Sequence, residues 1–321
     1  MAETRTGLRV LSWHVHGSWT TSFVRGPHTY LVPRLRGGGP WGLGRAGRDW
    51  PPNVREVALG EPLEVDVAVL QRPEEFALVE GWLGRRPGID LPAVYVEHNT
   101  PREHAVTSRH PLAGQDAVPV VHVTHFNDLM WDNGDCPTQV IPHGVVDPGY
   151  RYTGMLSRTA VMINEPVRRG RITGTDLLPA FAEDGPVDVF GIGTDALGAP
   201  LTGVGDLATA DLHTEVARRR VYLHTARWTS LGLSLIEAML LGMPVVSLGT
   251  TEAFRAVPPE AGVVDTDVGR LREGVRAFLN DPDLARVTGK AARESALADF
   301  GIEKFLRAWD RLLTETFERT R

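Results

Sequence analysis

Short, strongly apolar segments alternate with stretches of helical spacing along the first half of this chain, and this alternation constrains the fold more than any other feature. The segments are too apolar to expose either face to water. Strands of this kind occur in parallel sheets that helices cover on both sides. We therefore predict an α/β fold. The predicted strands are Leu8–Val15, Val65–Leu70, Ala93–Glu97 and Val118–Val123, and helical spacing appears in Glu74–Leu83.

A second alternating series follows a break rich in proline and glycine at residues 141–150. With 321 residues, the chain is too long for one ordinary hydrophobic core and fits two domains of about 150 residues each. We place the boundary near residue 150, which gives domains of 1–150 and 151–321. The predicted strands of the second domain are Thr159–Ile163, Val187–Phe190, Arg220–His224, Pro244–Leu248 and Gly262–Val264.

The distribution of charge argues against a nucleic-acid partner. Residues 1–150 hold 13 basic and 17 acidic side chains, and residues 151–321 hold 21 and 23, so neither domain is basic. No apolar run reaches the roughly 18 residues that a membrane-spanning helix needs, and the polar start has no signal-peptide pattern. The single cysteine, Cys136, excludes an internal disulfide. We expect a globular, cytoplasmic protein without a transmembrane segment.

The segment 229–248 reads as a glycine-bearing loop, a short helix and a buried strand. The helix, Ser234–Leu241, is apolar almost all round, and Gly242 ends it. Glu237 is the one acid on this helix, and a buried carboxylate needs hydrogen-bond donors or a cation. A ligand with hydroxyl groups supplies such donors, and a local structural partner is the alternative. The loop at Gly232 lets a ligand approach the backbone, and the amides of the first helical turn suit a phosphate.

These residues resemble the donor-site signature of retaining GT-B glycosyltransferases of the family-4 type, the glycosyl transferases group 1. In that family the site is formed by an acid, a loop containing Gly-Leu, a second acid followed by Ala-Met, and then Gly-x-Pro-Val-Val. The resemblance assigns Glu237 to the ribose hydroxyls of the nucleotide. It assigns the backbone of Gly232 and Leu233 to the diphosphate and the sugar.

Thr229 departs from the family pattern, because it stands where the family usually has the first acid, near the hydroxyls of the donor sugar. Together with Ser230 and Leu231 it completes the loop that resembles the donor site. Threonine forms hydrogen bonds but carries no charge. One alternative is therefore a non-catalytic GT-B-like protein that binds nucleotide as a partner subunit. A nucleotide-sugar epimerase of GT-B shape is a second alternative.

The resemblance implies a GT-B fold, in which two Rossmann-like, doubly wound parallel-sheet domains face a cleft. The N-terminal domain then holds the acceptor and the C-terminal domain the nucleotide sugar, with the last helix, 302–317, counted with either. The implied enzyme is a hexosyltransferase that moves a sugar from a UDP- or GDP-linked donor to a hydroxyl of a small-molecule or glycan acceptor and keeps the anomeric configuration. Neither a metal ion nor a cofactor other than the nucleotide-sugar co-substrate is implied.

Positive charge for a leaving diphosphate must come from arginine in this chain. The two lysines, Lys290 and Lys304, lie in the predicted terminal helices. Arg168, Arg169 and Arg171 follow the first strand of the second domain, in a stretch that resembles the family's Arg...Lys-Gly element, which binds the diphosphate. These three arginines are the candidates for that role. A solvated basic loop is the alternative.

Three glycines and a histidine complete the predicted site. Gly17 follows the first strand, where the family has a glycine loop that approaches the donor phosphates, and a plain tight turn is the alternative. Gly191 and Gly193 form a turn that the family places near the nucleotide. His98 follows the third predicted strand, where the family has a histidine or acid that faces the reaction centre. A histidine satisfied by backbone partners is the alternative for His98.

Two patterns that suggest a metal site are weak. His122 and His125 lie three residues apart on an extended segment, which tends to point them to opposite faces, and no further ligands accompany them. Asp281-Pro-Asp283 reads better as the start of a helix than as a metal motif. We expect no metal ion.

Residues 36–52 are rich in glycine and proline and cannot hold regular structure. We predict a mobile loop there. It is either inert surface or a lid over the acceptor that carries Trp41 and Trp50.

Overall fold

The structure, a computed structural model, describes residues 7–319 and divides the chain into two compact units. Unit 1 takes in the chain up to Val145 and again from Ile302 onwards, and unit 2 takes in Val146–Gly301. Each unit holds one sheet of parallel strands with helices packed on it. The prediction of an α/β fold with two parallel-sheet domains is confirmed.

Unit 1 has, within the described residues, a seven-stranded sheet in the order β3-β2-β1-β4-β5-β6-β7, in which every neighbouring pair is parallel. The chain moves outward from β1 through β2 to β3, and then crosses to the other side of β1 at β4. Its strands are β1 (Arg9–Ser12), β2 (Thr29–Arg34), β3 (Val54–Ala58), β4 (Val67–Leu70), β5 (Ala93–Glu97), β6 (Val120–His122) and β7 (Thr138–Val140).

The helices of unit 1 come from both ends of the chain. They are α1 (Gly17–Phe23), α2 (Glu74–Leu83), α3 (His125–Met130) and, after unit 2, α11 (Ile302–Arg319). Helix α11 completes the core, because its buried residues Phe305, Trp309 and Leu312 repeat at helical spacing. The Trp309 ring contacts the rings of Trp19 and Phe23 on α1, at centroid distances of 5.6 and 5.1 Å.

Unit 2 has a six-stranded parallel sheet in the order β10-β9-β8-β11-β12-β13. Counted from its own first strand, this is the 3-2-1-4-5-6 order of the Rossmann fold. The strands are β8 (Leu156–Met162), β9 (Val187–Phe190), β10 (Leu201–Gly205), β11 (Arg219–His224), β12 (Val245–Leu248) and β13 (Gly262–Asp265).

The helices of unit 2 lie between its strands and after the last of them. They are α4 (Pro166–Thr173), α5 (Leu178–Ala182), α6 (Thr209–Val216), α7 (Leu233–Leu241), α8 (Ala253–Ala256), α9 (Val268–Asn280) and α10 (Pro282–Phe300), with 3-10 turns at Thr175–Leu177 and Thr194–Ala196. Asp281 begins α10, because its carboxylate accepts hydrogen bonds from the backbone of Asp283 and Leu284. The Asp281-Pro-Asp283 sequence is therefore a helix start, as predicted.

Helix α7, which carries the predicted donor residues, is held by close packing against α10. Gly242 ends α7 in the left-handed conformation, with φ 88°. A Cβ atom on Gly289 of α10 would overlap the carbonyl oxygen of Gly242, so the two helices approach as closely as two backbones allow. A glycine at 289 is required by this contact.

The prediction of a mobile loop at residues 36–52, either inert surface or a lid carrying Trp41 and Trp50, is wrong for Trp50. Trp50 is 4% exposed and donates a hydrogen bond from Nε1 to Thr21 Oγ1 at 3.0 Å, so it belongs to the core. Arg45 donates to the carbonyl oxygens of Trp50, Pro51 and Val54, which closes the end of the loop. These bonds fix a segment whose composition alone suggests disorder.

We predict that Trp309→Ala destabilises unit 1 by about 3–5 kcal/mol, because it removes a buried indole from an aromatic cluster. Hydrogen exchange localises the effect, and amide protection should fall in β1 and β4 and stay unchanged in β11 and β12. Arg307→Ala is the control, since that side chain lies on the same helix and is 70% exposed. Unchanged protection in the Trp309 variant would contradict this account of the core.

Candidate active site

The strand order of unit 2 reverses between β8 and β11, and this reversal creates the candidate donor site. Loops that follow parallel strands all emerge at the carboxyl edge of the sheet, and where the order reverses, two neighbouring loops turn away from each other and leave a crevice. Helix α4, which follows β8, carries the predicted arginines, and the loops after β9 and β11 contain the predicted glycines and the donor loop. The topology therefore brings these residues to one edge of one sheet.

The start of α7 lies at this edge and leaves backbone amides available. Gly232 occupies the N-cap position and has no side chain to cap the helix, so the first amides are left for water or a ligand. The imidazole of His224 packs over Gly232, and a Cβ atom there would lie 2.5 Å from His224 Cε1. Burial lowers the pKa of His224 to about 4, so the ring beside the helix start is neutral.

Glu237 is less buried than the sequence pattern predicts. Its side chain is 22% exposed, and Oε2 lies 3.7 Å from Nε2 of His213 on α6. That imidazole nitrogen is shielded from solvent and has no hydrogen-bond partner in the described part of the chain. Glu237 therefore has one weakly placed protein partner and an open side toward solvent.

The three candidate arginines lie on α4 and differ in their partners. Arg168 is exposed and pairs with Glu165, and Arg171 lies 3.5 Å from Asp176. Arg169 is half-buried and forms no salt bridge or side-chain hydrogen bond within residues 7–319. Burial and the charge of Arg168 lower the pKa of Arg169. Of the three guanidinium groups, that of Arg169 is the one left for a ligand.

Gly191 and Gly193 bring the loops after β8 and β9 together. Gly191 has φ 131° and packs against the backbone of Ile163, where a side chain would not fit. Ile192 donates its backbone N–H to Asn164 Oδ1 at 3.0 Å. Gly193, with φ 74°, begins the next 3-10 turn. Both glycines shape this edge of the sheet.

The loop after β11 is tied to the end of α4. Arg227 donates two hydrogen bonds to Asp176, at 2.6 and 2.9 Å, and its backbone N–H bonds to the carbonyl of Ile172. Within the predicted donor loop Ser230 and Leu231 are buried, while Thr229 is partly exposed. Arg227 therefore serves this loop as a structural anchor.

In unit 1 the strand order reverses between β1 and β4, and the loops after β1, β4 and β5 meet at the carboxyl edge. Gly17 opens α1, and the guanidinium of Arg48 packs against its α-carbon. The space beside Gly17 is therefore filled by the Arg48 side chain of the same unit. Sequence reasoning does not find Arg48, which comes from the irregular loop at 36–52.

His98 lies at the same edge and is 8% exposed. Its Nε2 lies 3.1 Å from Oε1 of Gln71, the residue that follows β4. The imidazole of His16 packs against it in a tilted arrangement with ring centroids 4.0 Å apart, and the His143 ring lies roughly parallel to it at 6.5 Å. The sequence gives no sign that these four side chains meet.

The histidine cluster is electrically neutral near pH 7. Burial, and then the imidazoles of His16 and His143, hold the pKa of His98 well below its ordinary value. Burial and His16 lower the pKa of His143 to about 4. Burial also lowers the pKa of His16, against the opposing charge of Glu97. These rings therefore act as hydrogen-bonding groups and not as cations.

Within residues 7–319 no three side chains of histidine, cysteine, aspartate or glutamate lie close enough together to hold a metal ion. Over the same residues, no helix combines the length and the apolar composition that crossing a membrane requires.

Residues 199–295 match the family model described as Glycosyl transferases group 1. This range includes the donor loop, α7 and most of α10. The matched residues lie entirely within unit 2 and make this part of the chain similar to that family. A search of curated protein sequences finds no match.

Several solved structures of glycosyltransferases are similar in fold to this chain. Sucrose-phosphate synthase of Thermosynechococcus elongatus aligns with a TM-score of 0.73 and 16% identity, over 97% of this chain and 100% of that one. Anabaena HepE in complex with UDP and glucose aligns with a TM-score of 0.70 and 13% identity, over 96% and 100%. TarM of S. aureus, in complex with UDP among other ligands, aligns with a TM-score of 0.61 and 15% identity, over 77% of this chain and 55% of TarM.

At these identities the structural likeness establishes the fold, which is GT-B. The prediction of a GT-B fold is confirmed, and the match to the Glycosyl transferases group 1 model agrees with the resemblance stated for the sequence. Together, the family match and the fold support a glycosyltransferase.

We predict that unit 1 loses stability as the pH falls from about 6.5 towards 4. The folded pKa values of His16, His98 and His143 are lowered, so the unfolded chain binds more protons in this window. The stability contributed by neutral rings is complete above the unfolded pKa and is lost as pH falls. For His143 the shift from 6.5 to about 4 corresponds to about 3 kcal/mol.

Hydrogen exchange in unit 1 between pH 7 and 4.5 measures this effect. His143→Asn should show a shallower loss of protection with falling pH than the wild type, while His104→Asn, a change at an exposed histidine, should follow the wild type. An unaltered pH dependence in the His143 variant would rule out the buried cluster as its source.

Proposed function

We propose that this chain transfers a sugar from a nucleotide-diphosphate sugar to an acceptor hydroxyl, with retention of anomeric configuration and without a metal ion. Unit 2 binds the donor, and unit 1 binds the acceptor. The observation that carries the proposal is the carboxyl edge of the unit 2 sheet. It combines an uncapped helix start, an arginine that forms no salt bridge among the described residues, and a partly exposed carboxylate.

The diphosphate binds between the start of α7 and the α4 segment. The first amides of α7, at Leu233 and Ser234, donate to phosphate oxygens, and Arg169 supplies positive charge. Arg168 and Arg171 have acidic neighbours and contribute less. Amides and a guanidinium in this position stabilise the charge that builds on the leaving group, which is the task that a metal ion performs in other enzymes.

Glu237 binds the ribose hydroxyls, because its carboxylate forms no hydrogen bond within residues 7–319 and its pairing with His213 spans 3.7 Å, which leaves acceptor positions open. Thr229 offers a hydroxyl to the donor sugar. We favour UDP over GDP as the nucleotide, since HepE has been solved with UDP-glucose and TarM with UDP. Gly191 and Gly193 keep the adjoining loop clear of the nucleotide.

Retention follows if the acceptor attacks from the face on which the diphosphate leaves. The hydroxyl oxygen of the acceptor bonds to the anomeric carbon, the bond from that carbon to the diphosphate oxygen breaks, and the hydroxyl proton passes to a diphosphate oxygen. No protein nucleophile takes part. His98 of unit 1 binds the acceptor hydroxyl, and Gly17 begins the neighbouring helix α1.

We predict that Glu237→Ala weakens UDP binding by about a hundredfold, since two charge-assisted hydrogen bonds are worth on the order of 3 kcal/mol. Titration calorimetry gives the dissociation constants. Glu260→Ala, which removes an exposed acid of the same unit, should bind UDP like the wild type. Wild-type affinity in the Glu237 variant would refute the ribose assignment.

We predict that Arg169→Ala weakens UDP binding at least tenfold, whereas Arg168→Ala changes it by about twofold or less. A charge-assisted hydrogen bond to phosphate is worth about 1.5–3 kcal/mol, and an arginine already paired on the surface has less to give. The same titrations with uridine, which lacks phosphates, should show no difference between the variants. Equal effects of the two substitutions on UDP binding would contradict the assignment of the diphosphate to Arg169 rather than to Arg168.

The alternative, a non-catalytic protein that binds nucleotide, is supported by Thr229, which stands where the family usually has an acid. Wild-type protein that binds UDP but releases no glucose from UDP-glucose, with or without added sugar acceptors, would favour that alternative over transfer.

A further inference from the structure

Gln71 occupies the point where the strand order of unit 1 reverses. It is the residue after β4, it is 6% exposed, and its backbone N–H donates to Oε2 of Glu75 at 2.7 Å. Its side chain reaches the ends of two neighbouring strands, because it contacts the backbone that follows β1 and the imidazole that follows β5. A buried amide that joins three strand ends is a candidate for positioning a functional group.

The orientation of the Gln71 amide is set by its partner at the end of β1. Nε2 lies 2.7 Å from the carbonyl oxygen of Trp13, and a carbonyl only accepts hydrogen bonds. A second, longer contact joins Nε2 to Ser12 Oγ at 3.4 Å. The amide nitrogen therefore faces β1, and Oε1 faces Nε2 of His98 at 3.1 Å.

This orientation decides which nitrogen of His98 carries the proton. Because Gln71 Oε1 only accepts, His98 Nε2 must donate, and in the neutral ring Nδ1 then carries a lone pair. Nδ1 has no hydrogen-bond partner within residues 7–319, and it is not among the unpaired side-chain atoms that are sealed from solvent. Nδ1 is thus left as an open hydrogen-bond acceptor.

The surroundings of His98 favour the neutral ring. His16 and His143 face it from the loops after β1 and β7, and the edge of Trp19 on α1 completes the enclosure. The charges of Glu97, Arg102 and Arg72 act on the neighbouring His16. Glu75, which binds the Gln71 backbone, is itself paired with Arg72.

We propose that Gln71 is a positioning residue that holds His98 as the Nε2–H tautomer, so that Nδ1 accepts a hydrogen bond from a hydroxyl group of the acceptor. The inference rests on the proposed function for the identity of that ligand. An imidazole held in this way cannot donate to the ligand, and its lone pair repels a carboxylate or phosphate. The subsite therefore takes a neutral hydroxyl-bearing part of the acceptor.

The tautomer is measured directly in the full-length protein labelled with 15N-histidine. Long-range 1H–15N spectra distinguish Nε2–H, Nδ1–H and doubly protonated rings, and His98→Gln identifies the His98 signals by their loss. We expect the Nε2–H pattern for His98 between pH 8 and pH 5.5. A wild-type Nδ1–H pattern or a charged ring at pH 7 would overturn the proposal.

Two substitutions test the role of Gln71. Gln71→Leu should give a mixture of tautomers, with Nδ1–H appearing, because the acceptor that selects Nε2–H is gone. Gln71→Glu places a carboxylate against Nε2, so the pKa of His98 should rise by at least one unit. Gln115→Leu is the matched control, since Gln115 bonds backbone groups of the same unit and does not contact His98. An unchanged His98 spectrum in both Gln71 variants would overturn the proposal.

These spectra require no substrate, so their outcome is independent of the proposed function. If the wild type shows the Nε2–H tautomer and neither binds UDP nor transfers sugar, the proposed function fails and the positioning role stands. If transfer is observed and the tautomer is absent, the positioning role fails and the function stands.

Discussion

The reversal of strand order in each parallel sheet is the constraint on which the candidate sites depend. In both units the chain builds outward from a central strand and then crosses to the other side of it, at β4 in unit 1 and at β11 in unit 2. The loops on either side of that point diverge, and a ligand reaches backbone there without any helix being displaced. This geometry follows from the arrangement of strands and needs no particular side chain. The sequence then determines what the crevice binds.

The side chains at the carboxyl edges of the two sheets differ in chemistry. In unit 2 the groups at the edge of the sheet are charged or carry backbone dipoles, namely Arg169, Glu237 and the start of α7, which suits a nucleoside diphosphate. In unit 1 they are neutral imidazoles around His98, with Gln71 fixing the position of a proton. In the proposed reaction the first set stabilises a charge and the second orients a hydroxyl. A transfer reaction that separates a diphosphate from a sugar needs both.

Most interior strands and the edge strand β13 could be predicted from sequence, whereas the other three sheet edges and the interior strand β2 could not. The predicted bounds of β5, β9 and α2 agree with the structure, whereas β3, β7 and β10 are edge strands with exposed polar residues and show no apolar run. Strand β2 contains Pro33, which argues against a strand. The donor motif could be recognised from the sequence because its residues lie in one contiguous segment, 229–248. The pairing of Gln71 with His98, 27 residues apart, follows from the fold, and no spacing rule predicts it.

A crystal structure of the protein with UDP tests the central claim most directly. We predict that the diphosphate lies against the first turn of α7, with Arg169 on its oxygens and the ribose hydroxyls on Glu237. UDP bound at this edge with the ribose away from Glu237 would contradict the residue assignments. UDP bound elsewhere on unit 2, or no UDP at millimolar concentration, would contradict the claim that the reversal at β8 and β11 forms a donor site.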